Sequence, residues 1–448
     1  MPTFPVPPHN TRLGFHYFPD TNHFRETDLR LWLPRLRSLG ATWLTLVAPS
    51  SRAIPELFLD GLLSEGIEPI LHFPFSLDSS PPAQELQSLL SIYSRWGIHY
   101  VIFFNRPNSR AAWSTTAWTQ NDLVERFLDR FLPLAGAASA EGLVPVFPPL
   151  TPGGDYWDTS FLRAALQAID RRGHDQLLES LVLSAFAHAG DRPLNWGCGG
   201  PERWPAARPY FTPSGCQDQR GFCIYDWYIA ISEAVIGRAS PLLLLGLGCQ
   251  RCNSISAGLV EDTYTRRILA MAQALAIPAT SNGQDQIPAE LLDPLPPQVL
   301  GGNYWLLAAD SRSPYLSEAW FQPNGDHLPV LRAMRQLEIG LARARTISGQ
   351  KPSSATQFPH PLSHYLLLPS YDWGVADWHI NAARPFIKKY LPTVGFSLAE
   401  AALAARITVV GSPYDFPESV LDGLRAAGCC VERIGRDGMS IATQLADR

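Results

Sequence analysis

Short apolar runs closed by Pro, Gly or polar clusters recur along most of the chain, and the stretches between them carry a different rhythm. The runs are LGFHYF (13–18), TWLTLVA (42–48), IEPILHF (67–73), YVIFFN (100–105), LVPVF (143–147), ESLVLSAF (179–186), PLLLLGLG (241–248) and GGNYWLLA (301–308). Each is short and apolar on both alternating sets of positions, as a strand buried on both faces must be. Between them Leu29, Leu33, Leu36 and Leu39 fall at helical spacing, and LVERFLDRFLPLAG and DTYTRRILAMAQALA repeat the amphipathic pattern. Strands alternating with helices predict a parallel sheet covered by helices, and eight such units predict a (β/α)8 TIM barrel over about 10–345. The longest gap, 187–240, reads as an insertion over the face that carries the strands' C-terminal ends.

Beyond the barrel, 346–361 reads as a Pro/Ser-rich linker, with QKPSSATQFPHP at its centre. After it HYLLLP (364–369), a helix-like 377–391, RITVVG (406–411), PESVLDGLRAAG (417–428) and CCVERI predict a small α/β, Rossmann-like domain over 362–448.

Composition narrows the class. The chain has 448 residues, 46% hydrophobic and 17% charged, with net charge −5 and no long basic run. Nucleic acid and anionic membrane surfaces are therefore not expected partners. The start MPTFPVPPHN lacks the charge and apolar core of a signal peptide, and no run is long enough to span a bilayer, so a soluble, cytoplasmic location is favoured. No Walker-type, G-x-G-x-x-G or H-E-x-x-H motif occurs, and no cofactor is expected. Seven cysteines leave an odd number. Free buried thiols are the default; the alternatives are one or two disulfides, or a zinc site drawn from Cys198, Cys216, Cys249 and Cys252.

Barrel chemistry sits at the C-terminal strand ends. Those ends supply His16 and Asp20, His72, Asn105 and Arg106, Asp155 to Trp157, His188, Gly246 and Gln250, and Trp305. FFNRPN (103–108), PLLLLGLG and NYWLLA together resemble the strand-four, strand-seven and strand-eight endings of the clan A glycoside hydrolases. In that superfamily strand four ends in Asn-Glu-Pro, which supplies the acid/base, and strand seven supplies a glutamate nucleophile. Asn105, Pro107, Gly248 and Trp305 fit the resemblance. Arg106 and Gly246 stand where the two glutamates are expected.

The resemblance implies a carbohydrate partner held by His16, His72, Asn105, Arg106, Asp155, Trp157, His188 and Trp305, with no catalytic pair. Arginine cannot act as a general acid near neutral pH, and glycine has no nucleophile. Restoring both glutamates would, on this alignment, recreate a carboxyl pair. Two alternatives stay open: a working glycosidase or acidic-sugar enzyme using relocated carboxylates among Asp155, Glu202, Asp218, Asp226, Asp310 and Glu318, or an assembly component with a filled cleft. Arg106 itself could clamp a uronic carboxylate or pair with a loop carboxylate.

Overall fold

In a computed structural model of the chain, the described residues are 4–251, 257–276, 292–323, 327–347, 362–371, 377–390, 392–426 and 429–434. Two compact units divide it, Met1–Ser348 and Gly349–Arg448.

The first unit holds eight strands: β1 (Leu13–His16), β2 (Trp43–Val47), β3 (Glu68–Phe73), β4 (Tyr100–Phe103), β5 (Val144–Val146), β6 (Leu183–His188), β7 (Leu242–Gly248) and β8 (Val299–Tyr304). All pair in parallel, in the order β5-β4-β3-β2-β1-β8-β7-β6. A parallel bridge between Val146 and Val182 brings the two ends together and closes the barrel. This seam is the thinnest part of the ring because β5 is three residues long and contains Pro145, which has no N–H to donate.

Every strand is apolar on both sides because each side meets a core. Trp43, Ile70, Tyr100, Ile102, Val146, Val182, Leu243 and Leu245 fill the interior. Leu44, Leu71, Val101 and Leu244 turn outward into a second core shared with the helices. The Trp43 indole lies so close to Gly301 that a Cβ there would meet it at 2.7 Å, so glycine is required for this interior packing. Its N–H donates to Asn10 Oδ1 at 2.8 Å.

Two expectations shift. β6 starts later than the apolar run suggested, because Asp175–Ser180 forms a short helix first. The stretch 187–240 is less of an insertion than its length implied. Ile224–Ile236 is a barrel helix packed against the helix Asp158–Arg171, which leaves 189–223 as the loop proper. Of the expected linker, 346–347 end the helix Val330–Ile347 and 348–361 lie outside the described residues.

The second unit is a four-stranded parallel sheet ordered β10-β9-β11-β12, with β9 (Leu362–Leu367), β10 (Thr393–Gly395), β11 (Ala404–Val410) and β12 (Cys430–Ile434). Tyr365, Ile407 and Val409 pack with Leu421 and Leu424 of the helix Glu418–Ala426 on one face. Leu366 and Val410 pack with Ala383 and Phe386 of the helix Asp377–Tyr390 on the other. This is a doubly wound α/β layer of the expected kind. Among the described residues no helix is long and apolar enough to cross a membrane.

Candidate functional site

The C-terminal ends of the barrel strands surround a cleft of about 830 Å³. Six of the residues singled out from sequence line it: His16, His72, Asn105, Arg106, His188 and Trp305. Gly246 lines it too.

The strand-four corner is built by backbone geometry. Phe104 and Arg106 both take left-handed φ values, 67° and 54°, which turn the chain sharply at Asn105. His72 Nε2 donates to the Phe104 carbonyl at 2.9 Å, and the Arg106 N–H donates to the Pro149 carbonyl at 3.0 Å. Behind the corner, fully buried Asn108 donates to the carbonyls of Thr151 and Tyr156 and accepts from the Thr151 N–H. It thereby fixes the loop whose Thr151 and Gly153 form one wall. The Asn105 side-chain oxygen is buried without a hydrogen-bond partner. The Arg106 guanidinium lies 4.7 Å from the Phe186 ring centroid and is otherwise exposed. Among the described residues it has no carboxylate partner.

Across the cleft, His16 Nε2 accepts the Gly246 N–H at 3.0 Å, which leaves the ring proton on Nδ1. Burial, then the nearby His72 and Arg106, lower the His16 pKa to about 3. Burial lowers that of His72 to about 4, against the hydrogen bond to Phe104. Both rings are therefore neutral at pH 7. Gly246 has φ 57°, and a Cβ on it would meet Phe186 Cδ1 at 2.9 Å. The His16 and Trp305 rings meet edge to face at 5.1 Å. The Trp305 indole N–H donates to Glu318, and the indole packs against Tyr315 at 5.2 Å.

Two expected site residues lie elsewhere. Asp155 accepts the Arg110 backbone N–H at 2.8 Å and so holds a loop together. Trp157 is buried between Tyr210 and the Arg220 guanidinium. Neither lines the cleft. Phe186, Arg192, Arg220, Tyr315 and Glu318 do. Of these only Glu318 carried a sequence signal, as a loop carboxylate. Arg192 and Arg220 sit in the 189–223 loop, whose path no periodicity reveals.

Among the described lining residues Glu318 is the single carboxylate. The other loop carboxylates lie outside the lining: Glu202 is exposed in the short helix Gly200–Arg203, and the rest are engaged with other groups. Burial would raise the pKa of Asp218, but hydrogen bonds from Arg220, Trp196 and Thr212 hold it at about 2. Asp226 accepts the Gly199 N–H at 2.8 Å. Asp310 lies 3.3 Å from His23 Nε2, and with Asp20 these could offer three ligand atoms within 4.8 Å of one another on the rim. Cys198 is joined to Cys223 in a disulfide. A zinc set that needs Cys198 is thereby replaced by a covalent tie, and Cys252 lies outside the described residues.

No family model matches the chain, and no curated protein does. Among solved structures, a family 39 glycoside hydrolase from the gut symbiont Bacteroides cellulosilyticus WH2 aligns with 75% of this chain at 11% identity and TM-score 0.44. The aligned part spans 65% of that protein, just under two thirds of its length. The exo-beta-1,4-mannosidase Op5Man5 from Opitutaceae bacterium strain TAV5 aligns with 96% of this chain and 79% of its own at 12% identity and TM-score 0.40. A GH128 endo-beta-1,3-glucanase from Sorangium cellulosum aligns with 72% and 97% at 13% identity and TM-score 0.38.

Chemically, the cleft offers aromatic surface at Trp305 and Tyr315, an unpartnered acceptor at Asn105, neutral imidazoles on its floor and guanidinium groups on its walls. Such a set can bind a polyhydroxylated ligand by stacking and hydrogen bonding.

Proposed function

We propose that this barrel binds carbohydrate across the C-terminal ends of its strands and does not cleave it by a two-glutamate retaining mechanism. One observation supports the reading: Arg106 and Gly246, which stand where the sequence resemblance expects the two glutamates, line the cleft, and Glu318 is the lone carboxylate among its described lining residues. Retaining hydrolysis needs two carboxyls about 5–5.5 Å apart, one to attack and one to donate a proton. Among the described lining residues Glu318 has no such partner, and it already accepts the Trp305 N–H.

What remains favours binding. Trp305 gives an apolar ring for a sugar's C–H face, and the free ring nitrogens of His16 and His72 can meet hydroxyls. The test is a broad glycan-binding screen beside an aryl-glycoside hydrolysis screen on one preparation. Binding without turnover is expected, weakened about ten-fold by Trp305→Ala. Robust turnover abolished by Glu318→Gln would overturn the proposal.

A further inference from the structure

We infer that the saccharide taken by this cleft is an acidic one, its carboxylate gripped by Arg106 with Arg192. The inference rests on the reading of the cleft as a saccharide site and names its ligand class.

Charge in the cleft runs against charge in the chain. The whole sequence carries −5, yet the described lining residues hold three arginines, Arg106, Arg192 and Arg220, against one carboxylate. Asp218 neutralises Arg220 through its Nε at 2.9 Å and its terminal nitrogen. Glu318 is turned to the Trp305 indole. Arg106 and Arg192 have no carboxylate partner among the described residues. Two guanidinium groups lining one cleft, with no carboxylate partner among the described residues, give a local positive potential that an anionic ligand would neutralise.

The geometry of Arg106 suits a planar anion. Its backbone is left-handed and its N–H donates to Pro149, and its guanidinium carbon lies over the Phe186 ring at 4.7 Å. The side chain is exposed and no carboxylate among the described residues takes its N–H groups, whose fork matches the two oxygens of a carboxylate. Arg192, 5.8 Å from the Trp196 ring centroid, is placed in the same cleft by the 189–223 loop. Neither histidine on the floor supplies the charge, because burial keeps both neutral.

The experiment uses the full chain and matched probes: oligogalacturonate, oligoglucuronate and oligomannuronate, each against its methyl ester, by titration calorimetry. The ester keeps the ring and removes the charge. At least one acid should bind about ten-fold or more tighter than its ester, with an affinity that falls as salt is raised. Arg106→Ala and Arg192→Ala should each weaken the acid several-fold more than its ester and so erase most of that preference. Arg106→Lys, which keeps the charge and loses the fork, should fall between. An unchanged thermal midpoint separates these effects from misfolding. Esters that bind as tightly as acids, a preference that survives both alanine variants, or neutral glycans that bind where uronates do not would overturn this inference alone. If no glycan of either kind binds, the saccharide reading falls with it.

Discussion

Gly246 shows how much one residue's backbone can decide. Its φ of 57° belongs to a region that side chains rarely enter, and a Cβ would press on Phe186 at 2.9 Å. Sequence position alone suggested that a glutamate here, with one at position 106, would recreate a catalytic pair. The left-handed backbone argues otherwise. The double variant Arg106→Glu/Gly246→Glu is expected to leave aryl-glycoside hydrolysis at background. Gly246→Ala is expected to lower stability by about 1–2 kcal/mol in urea unfolding, from the strained φ and the crowded ring. The neighbouring histidines set a second expectation. Their folded pKa values, about 3 for His16 and about 4 for His72, lie below the ~6.5 of an unfolded chain. The unfolded state therefore binds more protons in between. Stability from this pair is whole above pH ~6.5 and drains away as pH falls toward those values. A thermal midpoint followed from pH 7 to 4 should drop, and His16→Gln should flatten the slope. At this scale the sequence named His16, His72, Asn105 and Arg106 from strand ends, but no pattern announces a left-handed φ at Arg106 or Gly246.

The elements around the cleft are tied by two devices that periodicity does not reveal. Asp158 opens the helix Asp158–Arg171 and is fully buried. It accepts from the Gly153 N–H at 2.8 Å, the Gln219 amide at 2.6 Å and the Tyr228 hydroxyl at 3.1 Å. One carboxyl thus joins the loop after β5, the loop after β6 and the helix Ile224–Ile236. Burial pushes its pKa up to about 6, against those three hydrogen bonds. The sign is opposite to that of the histidines: this contribution is present below the unfolded value of ~3.9 and lost as pH rises through about 6. Asp158→Ala strands three donors and should cost about 2–4 kcal/mol in chemical denaturation. Asp158→Asn should fold and lose this carboxyl's share of the pH dependence. The second device is the disulfide Cys198–Cys223, which spans 25 residues and pins the 189–223 loop to the start of the helix Ile224–Ile236. Non-reducing peptide mapping should recover the linked pair, and reduction should cost about 3 kcal/mol on loop-closure grounds.

At the scale of the whole molecule, each unit closes a core of its own. The barrel clusters draw on residues before position 348, and the clusters of the second unit on residues after 361. The described lining residues of the cleft all belong to the first unit. A fragment of residues 1–348 is therefore expected to unfold in one cooperative transition and to bind the same glycans as the full chain, measured by calorimetry on both. Much of this architecture was legible beforehand. Short runs apolar on both alternating sides can satisfy their backbone and bury both faces only as strands between two cores, so periodicity alone determined the alternation of strand and helix, the barrel, and the strand ends where chemistry collects. Three-residue β10 and the brief helix Leu398–Ala401 went unread because elements so short show no full period. Which charges face one another was decided only in three dimensions. Arg192 and Arg220 sit in a loop without rhythm that Asp158 and the disulfide tie to the barrel, and Glu318, in a turn after β8, meets the cleft beside Trp305. Asp155 and Trp157, at a strand end by position, are turned to hold a loop and fill a core. A side chain's direction at a strand end depends on the backbone torsions and neighbours that only the folded barrel supplies.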